Sequence, residues 1–507
     1  MADGESVRDD YVDIDEVEAS MTRELKYYWS LGEILCSGSE FCLIYKVPEH
    51  IREADRSAYE PIILSVGPYH RRTPSLQAAD KEKWNCLDYI LKLNRGRRLL
   101  DYLQAVKEVE QQARNCYSEE VRMGRQQFLQ MLLLDGCFVL VSLHGTTGIA
   151  PPAPQQQQQQ GGEFAADENE QTGQWYTNYV MHDLLLLENQ IPFFVVRRIY
   201  DVLAGKDAGA AAPAEGIVGY IEDVLSYYPR AIRRPDRPTE FHHLLHLCHM
   251  YFRPSPRPEH DECDRGSSAY FRRFLSFGRR YFRLCRRDDG SGEKSDCDGQ
   301  QMDLLQASQQ RWRRAAQYYE AGVEFRRKEF DAAEPHSLLD VEFRDGVVEV
   351  PCLPIDENTG SLFRNFVALE QTCPRFGNDF TTYVIFMSQL ISTPEDVALL
   401  AQRGVVVHQL RSDKEVSTLF TKLSRDVVFD FNREHYLKRI HRAVEAHYAS
   451  RLNRWMSWLR QNHFSNPWLG LAALAATVVL FCTAVQTLTA VFSYVNPPTD
   501  NSSEPAS

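Results

Sequence analysis

One uncharged apolar run, Leu469 to Tyr494, constrains this chain more than any other stretch. It reads LGLAALAATVVLFCTAVQTLTAVFSY, and Gln486 is its most polar residue. At about 1.5 Å rise per residue, a helix over this run is long enough for a hydrocarbon core roughly 30 Å thick. Trp468 and Tyr494 stand at its ends, where amphipathic rings favour the headgroup layer. Arg451, Arg454 and Arg460 precede it, and no Lys or Arg follows from Val495 to Ser507. That asymmetry predicts a single-pass C-terminal anchor with the bulk of the chain in the cytoplasm and a short tail, 495–507, across the membrane. Plasma membrane and endoplasmic reticulum both fit.

The other end carries no signal peptide. Residues 1–20 hold eight acidic side chains against one Arg, with no apolar stretch. Residues 1–40 are expected to be an acidic, largely disordered leader. The net charge of −13 argues against nucleic acid as a partner, because phosphate binding needs a basic face. Twelve cysteines without a C-x-x-C pair suit reduced, mostly buried thiols.

Between leader and anchor, the pattern predicts a mainly helical domain over 41–462 with a small β element. Disordered insertions are expected near 145–173, which includes six consecutive glutamines, and near 286–300; a weaker break falls at 205–216. Helical spacing marks Leu99 to Cys116, Arg122 to Leu143, and His182 to Val202 with an interruption at Pro192. Thr393, Pro394 and Gly404 have the chemistry of an N-cap, a first turn and a stop around a short helix. A long amphipathic helix is predicted from Asp430 to Gln461, with a stripe of Tyr436, Ile440, Val444, Tyr448 and Leu452. Leu338 to Pro351 predicts a hairpin turning at Asp345-Gly346, and a strand is expected at Val405 to His408.

No G-x-S-x-G, H-E-x-x-H, Walker A or G-x-G-x-x-G pattern occurs, so no catalytic residue, cofactor or metal site is assigned. Three clusters carry alternative readings. His242, His246 and His249 fall at i, i+4 and i+7, where one helical face could present imidazoles to zinc or simply lie half buried. Phe271 to Arg287 interleaves aromatics with arginines, including Arg272, Arg273, Arg279, Arg280 and Arg283. It reads either as a solvated amphipathic helix or as a contact for a partner, anionic lipid or single-stranded RNA. Asn501-Ser502-Ser503 is a glycosylation sequon on the expected outer side.

Several motifs occur together in one order: Ile44 to Pro48, Tyr59-Glu60-Pro61, Ser65 to His70, Lys81 to Trp84, Leu133 to Phe138, Asp183 to Phe194, Leu353 to Asp356 with Thr359, Phe363 to Gln371, Tyr383 to Ile391, Glu395-Asp396-Val397, and Asn466-Pro467-Trp468. In that order they resemble a plant family labelled only "domain of unknown function 247", over roughly Phe41 to Gln486. The resemblance implies a plant single-pass membrane protein with no established enzymatic activity. Some grass members are associated with self-incompatibility loci, which implies recognition or signalling through an unknown protein partner.

The same motifs set polar residues beside apolar runs. Glu188, Asn189, Gln190, Asn365, Glu370 and Gln371 are therefore expected to form a hydrogen-bonded core network. The alternative is an acid/base or ligand-sensing pocket lined by Asp135, Glu188 and Glu370.

Overall fold

Ten successive residues, Met131 to Leu140, are all buried in one helix. A helix without a polar face must be enclosed by others. This one, α4 (Arg125–Ser142), is packed by α1 (Asp80–Leu93), α2 (Leu99–Glu108) and α6 (Phe193–Ala204). The computed structural model describes residues 44–146, 178–205, 212–231, 240–255, 311–331, 335–449 and the backbone of 467–495, with a few isolated positions besides. The fold is mainly helical with small sheet elements.

A short α3 (Glu110–Asn115) follows α2, and Val109 breaks the single helix expected from Leu99 to Cys116. Residues 178–184 form α5, and the chain then leaves helical geometry until Pro192, the N-cap of α6. The helix expected from His182 thus ends well before its proline, because the Leu187 amide and the side chains of Glu188, Asn189 and Gln190 are held by distant partners, described below. Next come α7 (Ala212–Val224) and α8 (Leu244–Tyr251), with a turn at Leu225–Tyr227 between them.

The C-terminal half begins with α9 (Ala315–Glu320) and continues through α10 (Thr359–Thr372), α11 (Asp379–Leu390), α12 (Pro394–Gln402), α13 (Asp413–Leu423) and α14 (Lys438–Ala449). The N-terminus of α12 is closed as its sequence predicts: the Asp396 carboxylate accepts the backbone N–H of Thr393 at 3.0 Å and its hydroxyl at 2.9 Å. Gly404 beyond its end has φ +70°. The helix expected from Asp430 starts instead at Lys438, with turns before it, although Ile440 and Val444 of the predicted stripe are buried.

Strands are short. Two of them, β1 (Arg230–Ala231) and β3 (His336–Ser337), pair antiparallel. The expected hairpin forms between β4 (Glu342–Arg344) and β5 (Val347–Val350), turning on Asp345 at φ +50° and Gly346 at φ +84°. Positive φ at both central residues gives the backbone twist that matches the strands. The far edge of β5 takes β2 (Glu324–Arg327) in parallel. The strand expected near residue 405 is β7 (Val406–His408), parallel to β6 (Leu353–Ile355).

Buried apolar residues from Ile44 to Val444 form one connected cluster. The last helix, α15 (Pro467–Val495), stands apart in character: Val479, Leu480, Phe481 and Leu488 are each more than half exposed. Among the described residues no single helix is long and apolar enough to cross a membrane; the apolar stretch that qualifies as a shorter helix is Val478–Ala490.

Candidate functional site: buried clamps and an adjoining cleft

The N-terminal segment 44–70 is mostly extended or in turns, so its backbone cannot satisfy itself. Buried side chains from distant helices complete it. The Asp183 carboxylate accepts three successive backbone N–H groups, from Ile62, Ile63 and Leu64, each at 2.8 Å. Asn189 accepts the N–H of Val66 at 2.6 Å and donates to the carbonyls of Leu64 and Asp183 at 2.9 Å. Asp135, on α4, accepts Gly67 N–H at 2.9 Å and Lys83 Nζ at 2.6 Å, while Lys83 also donates to the Ser65 carbonyl. Gly67 has φ +78°, and a Cβ there would fall 2.4 Å from the Gln190 carbonyl oxygen, so only glycine fits this crossing.

Glu188 clamps the segment further upstream. It accepts Val47 N–H at 2.6 Å, pairs with the buried Arg52 guanidinium, and meets His70 Nε2 at 3.4 Å. Burial pushes its carboxyl pKa up, but the bonds from His70, Arg52 and Val47 outweigh burial and leave it below the usual value. Asn365 of α10 accepts Leu187 N–H at 2.8 Å and donates to Ala58 and Ser361 carbonyls at 2.9 and 2.8 Å. Gln190 donates to the Leu184 and Leu186 carbonyls and accepts Leu245 N–H. These bonds favour the unwound course of residues 185–191, since Leu187 N–H and the carbonyls of Asp183, Leu184 and Leu186 gain side-chain partners there.

Glu370 belongs to another neighbourhood. Its carboxylate accepts the N–H groups of Phe380 and Thr381 at 3.0 and 2.7 Å, the Thr381 hydroxyl at 2.6 Å, and faces His249 Nε2 at 2.8 Å. Among the described residues Asp135, Glu188 and Glu370 therefore have separate partners, so the structure does not bring them together as the acid/base or ligand-sensing alternative requires. Each of the three accepts at least one backbone N–H, from Gly67, Val47, or Phe380 and Thr381. Gln371, expected in the network, is only half buried and accepts one bond, from Val428 N–H at 3.2 Å. Asp183, whose carboxylate meets three backbone amides and the His182 ring, is legible in the sequence only as a polar residue inside the motif.

The histidines are likewise occupied locally. His243 caps α8 by accepting His246 N–H, and His246 Nδ1 accepts His242 N–H at 3.2 Å. The His242 and His246 rings stack 4.8 Å apart, whereas His249 turns to Glu370. Among the described residues no group of three His, Cys, Asp or Glu side chains is placed to hold a metal. Arg272, Arg273, Arg279, Arg280, Arg283 and Asn501 lie outside the described residues, as do most of the expected insertions.

Beside the clamps, a cleft of about 240 Å³ opens between α5, the Leu225–Tyr227 turn and the start of α10. Its walls include Met181, Leu185 and Leu362, with His182, Tyr227 and Asp356 as polar groups.

The profile of the plant family DUF247, described as plant protein of unknown function, matches residues 44–482. The chain belongs to the DUF247 family. UPF0481 protein At3g47200 of Arabidopsis thaliana is 28% identical over 473 residues, covering 92% of this chain and 89% of the relative. Putative UPF0481 protein At3g02645, also of Arabidopsis thaliana, is 23% identical over 535 residues, covering 94% of each. No solved structure matches. The DUF247 match takes in every clamp residue and the cleft. Motifs that mark the resemblance are thus, physically, the groups that hold segment 44–70 against α4, α5 and α10.

Proposed function

We propose that this DUF247 protein is a membrane-tethered, non-enzymatic recognition or signalling protein, its cytosolic portion presenting a surface to a protein partner. The observation that carries the tether is the character of α15: its backbone is helical over 29 residues, and its described apolar side chains are exposed rather than packed. Exposed apolar surface on every side of a helix calls for a non-aqueous surrounding. Thr483, Thr487 and Thr489 return their hydroxyls to carbonyls at Val479, Thr483 and Val485, which removes the polar cost of placing them in hydrocarbon.

Support for a non-enzymatic role comes from the clamps. The buried carboxylates that could act as acid or base are spent on backbone amides and fixed cations, so the rigid body they build suits presentation of a surface. Self-incompatibility-like recognition is one form this activity would take. Proximity labelling from the cytosolic portion in plant cells tests the reading, comparing the full chain with one cut before Trp468. Recognition at a membrane predicts a reproducible set of membrane-associated proteins that the cut chain loses. Identical background labelling by both would contradict it.

A further inference from the structure

Asp356 stands in the cleft with half of its carboxylate uncommitted. Oδ1 accepts the N–H groups of Asn358 and Thr359 at 3.0 and 2.8 Å and the Thr359 hydroxyl at 2.7 Å. Because that hydroxyl has given its only proton to Asp356, the Tyr228 hydroxyl, 3.2 Å away, is the donor to Thr359. Oδ2 has no protein donor, and no Lys, Arg or His approaches Asp356 within ion-pair distance, among the described residues. Asp135, Asp183 and Glu370 each have donors on both oxygens, and Glu188 has His70 Nε2 at 3.4 Å beside its second; Asp356 Oδ2 has neither.

The surroundings define what would complete it. No Lys or Arg lines the cleft, so an anion would meet an unbalanced negative charge. A hard metal ion needs six or more oxygens, and the described residues offer no such set. The walls are mostly apolar, formed by Met181, Leu185 and Leu362, and Tyr227 offers an aromatic ring at the rim, 37% exposed. Burial first, and then the neighbouring Asp356 charge, push the Tyr227 hydroxyl pKa up. His182, also in the lining, has its Nδ1 2.9 Å from the Asp183 carboxylate. A cavity of about 150 Å³ holds benzene, so about 240 Å³ accommodates one ring with a short arm.

We propose that this cleft is a binding site for a small organic cation, an amine with an apolar body. Its ammonium group would sit between Asp356 Oδ2 and the Tyr227 ring, and its body against Met181, Leu185 and Leu362. Ring faces attract cations and the carboxylate supplies the counter-charge. Asp356 Oδ2, an acceptor without a protein donor, matches a ligand that brings donors. The site does not depend on the tether or on recognition of a protein partner.

The test uses the full chain in nanodiscs of zwitterionic lipid and three probes of equal shape: 2-phenylethylammonium, 2-phenylethanol and phenylacetate. Saturable binding, read by ligand-observed NMR and calorimetry, is expected for the ammonium alone. Asp356→Asn keeps an oxygen for the Asn358 and Thr359 donors and should retain its Tm while weakening the ammonium by about tenfold or more. Tyr227→Leu, at an exposed position, should weaken it by about two- to fivefold, and it decides the matter if Asp356→Asn does not fold. Equal binding of the alcohol, unchanged affinity in the folded variants, or no saturable binding of the ammonium at millimolar concentration would overturn the proposal.

Discussion

The side-chain amide of Asn365 donates to the carbonyl of Ala58 at 2.9 Å, joining positions 307 residues apart. The same amide oxygen accepts Leu187 N–H, so one side chain ties α10, the unwound stretch after α5 and the N-terminal segment. Asn365→Leu keeps a branched side chain but orphans the buried Leu187 N–H and takes one of two donors from the Ala58 carbonyl, which Ser361 Oγ also reaches at 2.8 Å. A loss on the order of 3 kcal/mol is expected, measured by chemical denaturation; a loss below about 0.5 kcal/mol would show the bonds to be incidental.

Lys83 and Asp135 form a buried pair at 2.6 Å. Lys83→Met should destabilise by about 3–5 kcal/mol, since it strands a buried carboxylate. Combining it with Asp135→Leu should return part of that loss and leave the cost of the Gly67 amide and the Ser65 carbonyl, which lose their partners. A double-mutant cycle that shows simple additivity would rule out the pairing.

Gly67→Ala is expected to cost more than about 2 kcal/mol, because a positive φ and a backbone clash act together. Its φ is +78° and the new Cβ would meet the Gln190 carbonyl oxygen at 2.4 Å, with no flexible side chain to yield. Gly124→Ala, where a Cβ meets nothing within 4 Å, is the control and should be near neutral.

Acid should unfold the chain through α8. Burial, followed by the neighbouring His242 and His249, holds His243 down to about 3. Burial, followed by His243, His242, His249 and Arg253, holds His246 down to about 2, against 6.5 when unfolded. Each Nδ1 accepts an N–H bond that protonation would break. The unfolded chain binds more protons below pH 6.5, so stability is full above that pH and falls as pH drops, by about 1.4 kcal/mol per unit for each histidine. A His243→Asn, His246→Gln double variant should flatten the dependence of Tm between pH 6.5 and 4.5; an unchanged slope would place the acid sensitivity elsewhere.

What the sequence disclosed was mostly local. The Asp345-Gly346 turn and the Thr393-Pro394 helix start were readable because their bonding partners lie within a few residues. The stretch 185–191 misled for the opposite reason: its periodicity is helical, but Asn365 and Leu245, far along the chain, compete for its polar groups. The pairing of β2 with β5 likewise depends on tertiary neighbours. The polar network was visible as residue types, and Asp183 and Lys83 as motif members, yet their roles follow only from where segment 44–70 crosses. For the cleft, the signal was Asp356-x-x-Thr359 before an apolar helix, a turn motif that gives no hint that one carboxylate oxygen stays free.

Protease treatment of intact microsomes carrying the full chain tests the tether most directly. With α15 in the bilayer and the bulk outside, protease should remove everything except a C-terminal fragment beginning near Trp468, and that fragment should resist carbonate extraction. Protection of the whole chain, or complete extraction by carbonate, would contradict C-terminal anchoring.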